Sequence, residues 1–274
     1  MLNKVSPLPI KKFPKSLAKN IKVVFCDIDD TISTNGKILP ESYLALWKLY
    51  RAGIHVVPIT GRCAGWVDHI ARMWPVKGVI GENGAFYAYM DDSISQKKLL
   101  KRYYFRPEEI KDLKIKFEDI KKEVFQLFPQ LKLASDQPYR EFDLAIDYCE
   151  DVPPLDKSEL IKIVKIFEKY GAKTKISSIH VNGWFGDYDK LKMTKIFSKE
   201  QLNMDEERLK KESIFIGDSP NDQPMFQFFE NSVGVSNIMN FINFFDYLPK
   251  YTTKNEAGLG FAEFAQCIIK KRKK

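Results

Sequence analysis

Short apolar runs and amphipathic stretches alternate along the first 85 residues. The apolar runs are rich in β-branched residues, as in strands that are buried on both faces of a parallel sheet. In the amphipathic stretches, the apolar residues have the spacing expected of a helix. The predicted order is a strand over 21–26, a helix from Pro40 to Gly53, a strand over 54–59, a helix over 66–73 and a strand from Val79. In the first helix, the spacing predicts an inward face of Leu44, Trp47 and either Leu46 or Leu49. This regular alternation predicts an α/β fold with a doubly wound parallel sheet.

The alternation changes between residues 86 and 186. Here the predicted elements are a strand over 103–105, a helix over 108–128, strands over 131–134 and 142–148, a helix over 157–170 and a strand over 175–184. The first pattern returns near Leu191 with a helix and a buried strand over 213–216. We therefore expect a poorly structured basic arm (1–20), a core (21–85 and 187–274) and an inserted α+β cap (86–186).

Charge and cysteine content narrow the possible partners. The formal charge of +8 is compatible with binding of small anionic substrates. It is also compatible with binding of nucleic acid by the basic chain ends. Residues 270–274 are expected to be solvated and disordered. No aromatic and basic recognition pattern accompanies that charge, so nucleic-acid binding is a remote alternative. The four cysteines lack a CxxC spacing, which favours reduced thiols in a cytoplasmic protein. No apolar run is long enough for a membrane span, so no membrane partner is expected.

Three polar segments each follow an apolar, strand-like run. They are Asp-Ile-Asp-Asp-Thr at 27–31, Thr-Gly-Arg at 60–62 and Gly-Asp-Ser-Pro-Asn-Asp at 217–222. Open α/β sheets collect catalytic groups at the carboxyl ends of their strands, so we expect the three segments to meet there. Several carboxylates in one crevice suit Mg²⁺, which prefers oxygen ligands. The segments therefore predict magnesium-assisted phosphoryl transfer.

The spacing also assigns roles to individual side chains. Alternate residues of an extended segment project together, so Asp27 and Asp29 are expected on one side, with Asp218 as a further carboxylate. Asp27 is the predicted nucleophile, and Asp29 is predicted to move protons to the leaving oxygen and from the attacking water. Thr60 and Lys190 are predicted to bind the remaining phosphoryl oxygens.

Simpler structural roles compete with some of these assignments. Asp222 lies in a first helical turn, where an acidic residue suits the helix dipole, and Thr60 is a possible helix cap. Lys190 has two neighbours, Lys192 and Lys195, and an exposed helix face accounts for any of the three. The joint placement of the signals at strand ends favours the catalytic interpretation.

These residues resemble the haloacid dehalogenase superfamily of phosphatases, in particular the Cof-type subgroup with sucrose-, trehalose- and mannosylglycerate-phosphate phosphatases. The resemblance covers essentially the whole chain from residue 22. It implies a Rossmann-like core, Mg²⁺, and a cap inserted between the second and third motifs. By motif, it assigns the nucleophile and acid/base to Asp27 and Asp29, the second motif to Thr60, the third to Lys190, and the fourth to Gly217, Asp218, Asn221 and Asp222.

The chain departs from the family pattern at two positions. Asp30 stands where many relatives have Gly, which adds a carboxylate beside the metal. Leu191, instead of Gly, follows Lys190, and Lys192 is therefore kept as the alternative phosphate-binding lysine. Neither departure removes a catalytic group.

The sequence thus predicts a Mg²⁺-dependent phosphatase of a small phosphorylated metabolite, with a sugar phosphate as the expected substrate. A phosphotransferase or phosphomutase on sugar phosphates is the alternative. Metal ligands are expected at Asp27, Asp29, Asp218 and Asp222. Substrate contacts are expected from core and cap residues, namely Gly61, Arg62, Asn83, Asn221, Arg140, His180 and Asn182. On the last predicted cap strand, His180, Asn182 and Trp184 share one face, which either binds substrate or packs on a cap helix.

Overall fold

A computed structural model describes residues 6–91, 93, 98–176 and 180–273. In this part of the chain the strands are β1 (Leu8–Pro9), β2 (Val23–Cys26), β3 (Ser33–Thr34), β4 (Lys37–Ile38), β5 (His55–Pro58), β6 (Val79–Gly81), β7 (Phe86–Asp91), β8 (Lys98–Tyr103), β9 (Lys132–Leu133), β10 (Asp143–Asp147), β11 (Lys173–Ile176), β12 (His180–Trp184), β13 (Ser213–Gly217), β14 (Ser232–Gly234) and β15 (Tyr251–Thr252). The helices are α1 (Lys15–Asn20), α2 (Pro40–Arg51), α3 (Ala64–Met73), α4 (Pro107–Leu127), α5 (Lys157–Lys169), α6 (Lys190–Leu202), α7 (Glu206–Glu212), α8 (Gln223–Phe228) and α9 (Ala257–Lys273).

The described residues form a six-stranded parallel sheet in the order β1-β15-β14-β13-β2-β5. Helices cover both faces, because α1, α2, α3 and α9 pack on one face and α6, α7 and α8 on the other. The predicted α/β core is confirmed. A bridge between Ile59 and Ile80 carries the sheet on to β6, which begins an antiparallel unit with β7 and β8.

The inserted region has its own sheet, ordered β11-β12-β10-β9 among the described residues. One face of this sheet packs on α4 and α5 through a separate apolar cluster that includes Ile120, Leu144 and Ile163. The hairpin of β7 and β8, in contrast, places Phe86, Tyr87 and Ala88 in the two clusters of the core. We therefore propose that the cap begins after β8 and not at residue 86.

The structure corrects three expectations about single elements. Residues 8–20 are ordered, since β1 pairs with β15 and Phe13 is buried, so the expected poorly structured arm is wrong there; residues 1–5 lie outside the described residues. Helix α9 continues to Lys273, so the basic end is helical and not disordered. The strand predicted over 175–184 is two antiparallel strands, β11 and β12, and residues 177–179 between them lie outside the described part.

The inward face of α2 also differs from the prediction. Leu46 and Leu49 are buried as expected, whereas Leu44 and Trp47 are exposed. Small residues complete the buried face, because a Cβ at Gly258 of α9 would lie 3.3 Å from the Cβ of Ser42. The close approach of α2 and α9 explains why small side chains replace large ones there.

Candidate active site

Four neighbouring strands end at one crevice of the core. Asp218 follows β13, Asp27 follows β2, Thr60 follows β5 and Ile59, and Glu82 follows β6. Backbone hydrogen bonds continue the sheet pattern across these ends, since the Asp27 N–H donates to the Ile216 carbonyl at 3.0 Å. The predicted meeting of the three motifs is therefore what the fold produces.

Asp27, Asp218 and Asp222 form a compact carboxylate cluster. One oxygen from each lies within 4.8 Å of the others, and all three residues are buried. The Lys190 ammonium donates to Asp27 Oδ1 at 2.7 Å and to Asp222 Oδ1 at 2.8 Å. The Thr31 hydroxyl donates a hydrogen bond to Asp218 Oδ1 at 3.2 Å. The cluster thus contains the predicted nucleophile and the predicted third-motif lysine.

Lys190 reaches this position because α6 begins at the crevice. Asp189 caps the helix by accepting from the Lys192 N–H at 2.7 Å. The backbone before Lys190 packs so closely on Gly84 that a Cβ there would lie 2.2 Å from the Asp189 carbonyl oxygen. Gly84 also has a φ of 106°, which favours glycine. The alternative, Lys192, pairs instead with Asp187 outside the cluster, so Lys190 is the lysine at the site.

The electrostatics of the cluster suit a divalent cation. Burial and the negative charges of Asp27 and Asp222 raise the pKa of Asp218 to about 9. Burial also raises the pKa of Asp27 to about 7, although Lys190 opposes the shift. Three buried carboxylates beside one lysine leave excess negative charge, and a hard cation with oxygen ligands would compensate it. Asp27, Asp218 and Asp222 are therefore the residues that could hold Mg²⁺.

Asp222 and Asn221 lie on a single turn after the β13 loop. Asp222 is fully buried and, besides its contact with Lys190, accepts the Asp218 N–H at 3.2 Å through Oδ2. Its side chain thus fixes the loop as well as contributing a carboxylate. Asn221 is exposed on the same turn, and its expected substrate contact stays a prediction.

Asp29 does not join the carboxylate cluster. Its carboxylate accepts hydrogen bonds from Arg62 Nε and from a terminal nitrogen, at 3.1 and 2.8 Å. The expectation that its side chain is a metal ligand is therefore not supported. The alternation on which it rested applies to extended strands, but β2 ends at Cys26, and Asp29 lies in the turn that follows. Asp30 is exposed with a φ of 52° and is likewise outside the cluster.

The second-motif loop packs beside this ion pair. The Thr60 hydroxyl accepts the Arg62 N–H at 2.9 Å, and the Asn83 N–H donates to the Thr60 carbonyl at 3.0 Å. A Cβ at Gly61 would lie 3.0 Å from the Asn83 side chain. Thr60, Gly61, Arg62 and Asn83 thus lie together beside Asp29, and their expected contacts with substrate stay predictions.

The cap residues predicted to bind substrate have protein partners. Arg140 is only 5% exposed and is held by Asp136 at 2.7 Å and by Asp143 at 2.8 Å. Asn182 donates to Asp143 at 3.2 Å. Because two carboxylates already neutralise its guanidinium, Arg140 organises the cap and is not a free cation, and its expected substrate contact stays a prediction. His180, opposite Asp147 in the cap sheet, lies 2.8 Å from Glu150.

Glu82 is a functional candidate that was not predicted from the sequence. Its buried carboxylate accepts three backbone N–H groups: Ala64 of α3 at 3.0 Å, and Glu141 and Phe142 of the cap at 2.8 and 2.6 Å. One side chain therefore ties the core to the cap segment next to Arg140. No local sequence signal identifies Glu82, because its burial and its cap partners arise from contacts between distant segments.

We expect Glu82 to make stability depend on pH. Burial, together with the negative charge of Asp143, raises the pKa of Glu82 to about 8. Because this folded-state pKa exceeds the unfolded value of about 4.3, the stabilising contribution is complete below pH 4.3 and is lost as pH rises through 8. Over that window one such group lowers the free energy of unfolding by roughly 1.4 kcal/mol per pH unit. The Glu82→Gln variant should show a shallower decline in urea unfolding between pH 5.5 and 8.5.

Glu230→Gln provides the control for this measurement, because Glu230 is exposed. It should leave the pH dependence of unfolding unchanged. Equal slopes for wild-type protein and Glu82→Gln would contradict the assignment.

Comparisons with known proteins agree with this architecture. Residues 24–147 match the family model for haloacid dehalogenase-like hydrolases. No curated protein matches the sequence. Among the described residues, no helix is long and apolar enough to cross a membrane.

Solved structures match the chain over nearly its whole length. A protein of Thermoplasma acidophilum is 18% identical, with a TM-score of 0.68, covering 90% of this chain and 98% of its own. A trehalose-6-phosphate phosphatase related protein is 13% identical, with a TM-score of 0.61, covering 90% and 97%. The sucrose-phosphatase of Synechocystis, solved with sucrose and phosphate, is 14% identical, with a TM-score of 0.60, covering 91% and 98%. At these identities the similarity establishes the fold.

Proposed function

We propose that this chain, a haloacid dehalogenase-like hydrolase, is a Mg²⁺-dependent phosphatase that acts on a small phosphorylated metabolite through an aspartyl-phosphate intermediate. The observation that carries the proposal is the buried cluster of Asp27, Asp218 and Asp222 with Lys190 bridging two of its members. A sugar phosphate is the proposed substrate class. The similarity to proteins named for trehalose-6-phosphate and sucrose phosphate supports that class, as does the polar face of the cap sheet.

In this mechanism Asp27 is the nucleophile. Lys190 holds Oδ1, so Oδ2 can form the bond to phosphorus as the bond from phosphorus to the leaving oxygen breaks. In this proposal Asp29 enters the step protonated, which requires it to exchange its ion pair with Arg62 for a proton, and it gives that proton to the leaving oxygen. It then takes a proton from the water that hydrolyses the acyl phosphate. Thr60 and Lys190 bind phosphoryl oxygens beside Asp27.

The carboxylates of Asp27, Asp218 and Asp222 would hold Mg²⁺ in this proposal. When bound, the ion neutralises charge on the phosphoryl oxygens. The buried, mutually repelling carboxylates fit a divalent cation better than they fit a site without one.

The test is hydrolysis of a panel of sugar phosphates, nucleotides and para-nitrophenyl phosphate by the purified protein. We expect phosphate release with Mg²⁺, loss of release with EDTA, and recovery when Mg²⁺ is restored in excess. Mg²⁺ should also raise the melting temperature, because an ion that binds only the folded state stabilises it. Absence of phosphate release from the whole panel would reject the proposal.

Asp218→Ala tests the metal assignment separately. The variant should need at least about tenfold more Mg²⁺ for half-maximal rate, and the Mg²⁺-induced rise in melting temperature should shrink, because one of three carboxylates is gone. Asp246→Ala is a matched control, since Asp246 is exposed and lies outside the cluster. An unchanged Mg²⁺ requirement in Asp218→Ala would remove that residue from the site.

A further inference from the structure

The polar face of the cap sheet is directed away from the cap helices. Leu144 and Val181 on the opposite face pack into the apolar cluster with α4 and α5. Side chains alternate along strands, so Asp143 and Asn182 belong to the face that the helices leave uncovered. In the register of the sheet, Lys175 of β11 lies directly opposite Asn182 of β12. Directly opposed residues share a face, so Lys175 projects from this polar face as well.

The face that carries Lys175 is turned toward the core, because Trp184 of the same face packs on the apolar cluster that contains Ile28, next to Asp27, and Phe86. Lys175 is half-buried, and its ammonium is close enough to Lys190, Asp222, Asp27 and Asp218 to be influenced by their charges. Burial and the positive charge of Lys190 lower the pKa of Lys175, and the carboxylates oppose this without cancelling it. The cap thus extends a cation toward the reaction centre.

The environment of Lys175 differs from that of the other cations near the site. Arg62 is paired with Asp29, Arg140 with two carboxylates, and Lys190 with Asp27 and Asp222. Among the residues that the structure describes, Lys175 has no carboxylate within ion-pair distance and no hydrogen-bond acceptor. A half-buried cation without a partner would gain free energy from an anion bound beside it.

The geometry of phosphoryl transfer indicates where that anion lies. The attacking and leaving oxygens are roughly in line through phosphorus. Asp27 attacks from the edge of the core sheet, so the leaving group extends away from that edge, toward the cap. The transferred phosphoryl group is already bound by Thr60 and Lys190 in the proposed mechanism. Lys175, carried by the cap, therefore lies on the side of the leaving group.

We propose that Lys175 is a specificity-determining residue that binds a second anionic group, a carboxylate or a phosphate, on the leaving group of the substrate. This inference rests on the proposed phosphatase function and deepens it: the substrate is a small sugar or polyol phosphate with a second negative charge. Asn182 lies opposite Lys175 and adds a polar side chain to the same face.

Matched substrates test the proposal. Glycerate 3-phosphate and glycerol 3-phosphate differ by a carboxylate in place of a hydroxymethyl group, and fructose 1,6-bisphosphate and fructose 6-phosphate differ by a phosphate. Wild-type protein should favour the anionic member of at least one pair by roughly 10- to 100-fold in kcat/KM, since a hydrogen bond to a charged group contributes about 1.5–3 kcal/mol. The preferred pair identifies the anion as carboxylate or phosphate.

Lys175→Met should abolish that preference by lowering kcat/KM for the anionic member about 10- to 100-fold, while the neutral member changes less than about threefold. Lys173→Met is the matched control: Lys173 shares the strand and the face, but its ammonium lies 2.7 Å from Asp187. It should preserve the preference. Equal losses for both members in Lys175→Met, or no loss for either, would overturn the proposal.

A binding measurement separates this inference from the proposed function. In the Asp27→Asn background, which removes the nucleophile, calorimetry should show at least about tenfold tighter binding of the anionic member, and added Lys175→Met should eliminate the difference. Equal binding of both members of each pair overturns the role of Lys175. Lack of turnover by wild-type protein, with the binding preference intact, overturns the phosphatase function instead.

Discussion

Replacement of Asp27 by Asn should abolish turnover while the protein stays folded. The amide retains the shape of the side chain and an oxygen for the Lys190 contact, but it is a poor nucleophile toward phosphorus. We expect kcat to fall by at least on the order of 10⁴-fold, as when the covalent nucleophile of a serine hydrolase is removed. Burial and the charge of Asp222 raise the pKa of Asp27, so loss of its charge should not lower the melting temperature.

Two measurements make this expectation specific to a covalent mechanism. Acid quenching during turnover of substrate labelled with ³²P should trap an acid-stable, hydroxylamine-sensitive phosphoryl group on wild-type protein and none on Asp27→Asn. Asp30→Asn is the control, because Asp30 is exposed and its φ of 52° suits Asn. That variant should keep full activity and labelling. Residual Mg²⁺-dependent turnover near the wild-type rate in Asp27→Asn would contradict the nucleophile assignment.

The core and its catalytic edge are predictable from sequence for a physical reason. Strands buried on both faces leave continuous apolar runs, and the first polar residue after each run marks the strand end. β2 and β13 therefore place Asp27 and Asp218 where the sequence predicts them. The prediction fails for Asp29 because the period-2 rule stops at the strand end. Beyond Cys26 the turn geometry and the partner Arg62 decide where the side chain points.

The missed turn between β11 and β12 changes which face of the cap sheet is predicted to carry Lys175. If residues 175–184 were one strand, Lys175 and Asn182 would lie on opposite faces, because their positions differ by an odd number. The hairpin of β11 and β12 reverses the chain and sets Lys175 opposite Asn182. A prediction that treats residues 175–184 as a single strand therefore does not place Lys175 beside Asn182.

The hydrophobic pattern of the sequence also does not predict the partners of individual polar side chains. Glu82 looks like an ordinary loop residue until the cap backbone at Phe142 lies 2.6 Å from it. Arg140 looks like a substrate-binding cation until Asp136 and Asp143 surround it. The role of Glu82 depends on how the inserted domain packs on the core. The partners of Arg140 lie only three and four residues away in sequence, so its pairing depends on the turn geometry of the cap, which hydrophobic periodicity does not predict.

Lys190→Met should impair both stability and catalysis. Lys190 is the cation that two buried carboxylates, Asp27 and Asp222, contact directly. An apolar side chain of similar length would leave them without this partner, and breaking a buried ion pair in this way costs about 3–5 kcal/mol of unfolding free energy. Turnover should fall by at least on the order of 10³-fold, because a positioned cation at the phosphoryl oxygens is lost.

Mg²⁺ should restore part of the stability of Lys190→Met but little of its activity. A divalent cation can compensate the buried carboxylates and so stabilises the folded state, but it does not replace the hydrogen bond that orients Asp27 Oδ1. Urea unfolding and turnover, each measured across a Mg²⁺ titration, separate the two effects. Lys192→Met, on the same helix but paired with Asp187 outside the cluster, should match wild-type protein in both assays. If Lys192→Met loses activity and Lys190→Met does not, then Lys192 is the third-motif lysine and the geometry of the cluster serves stability alone.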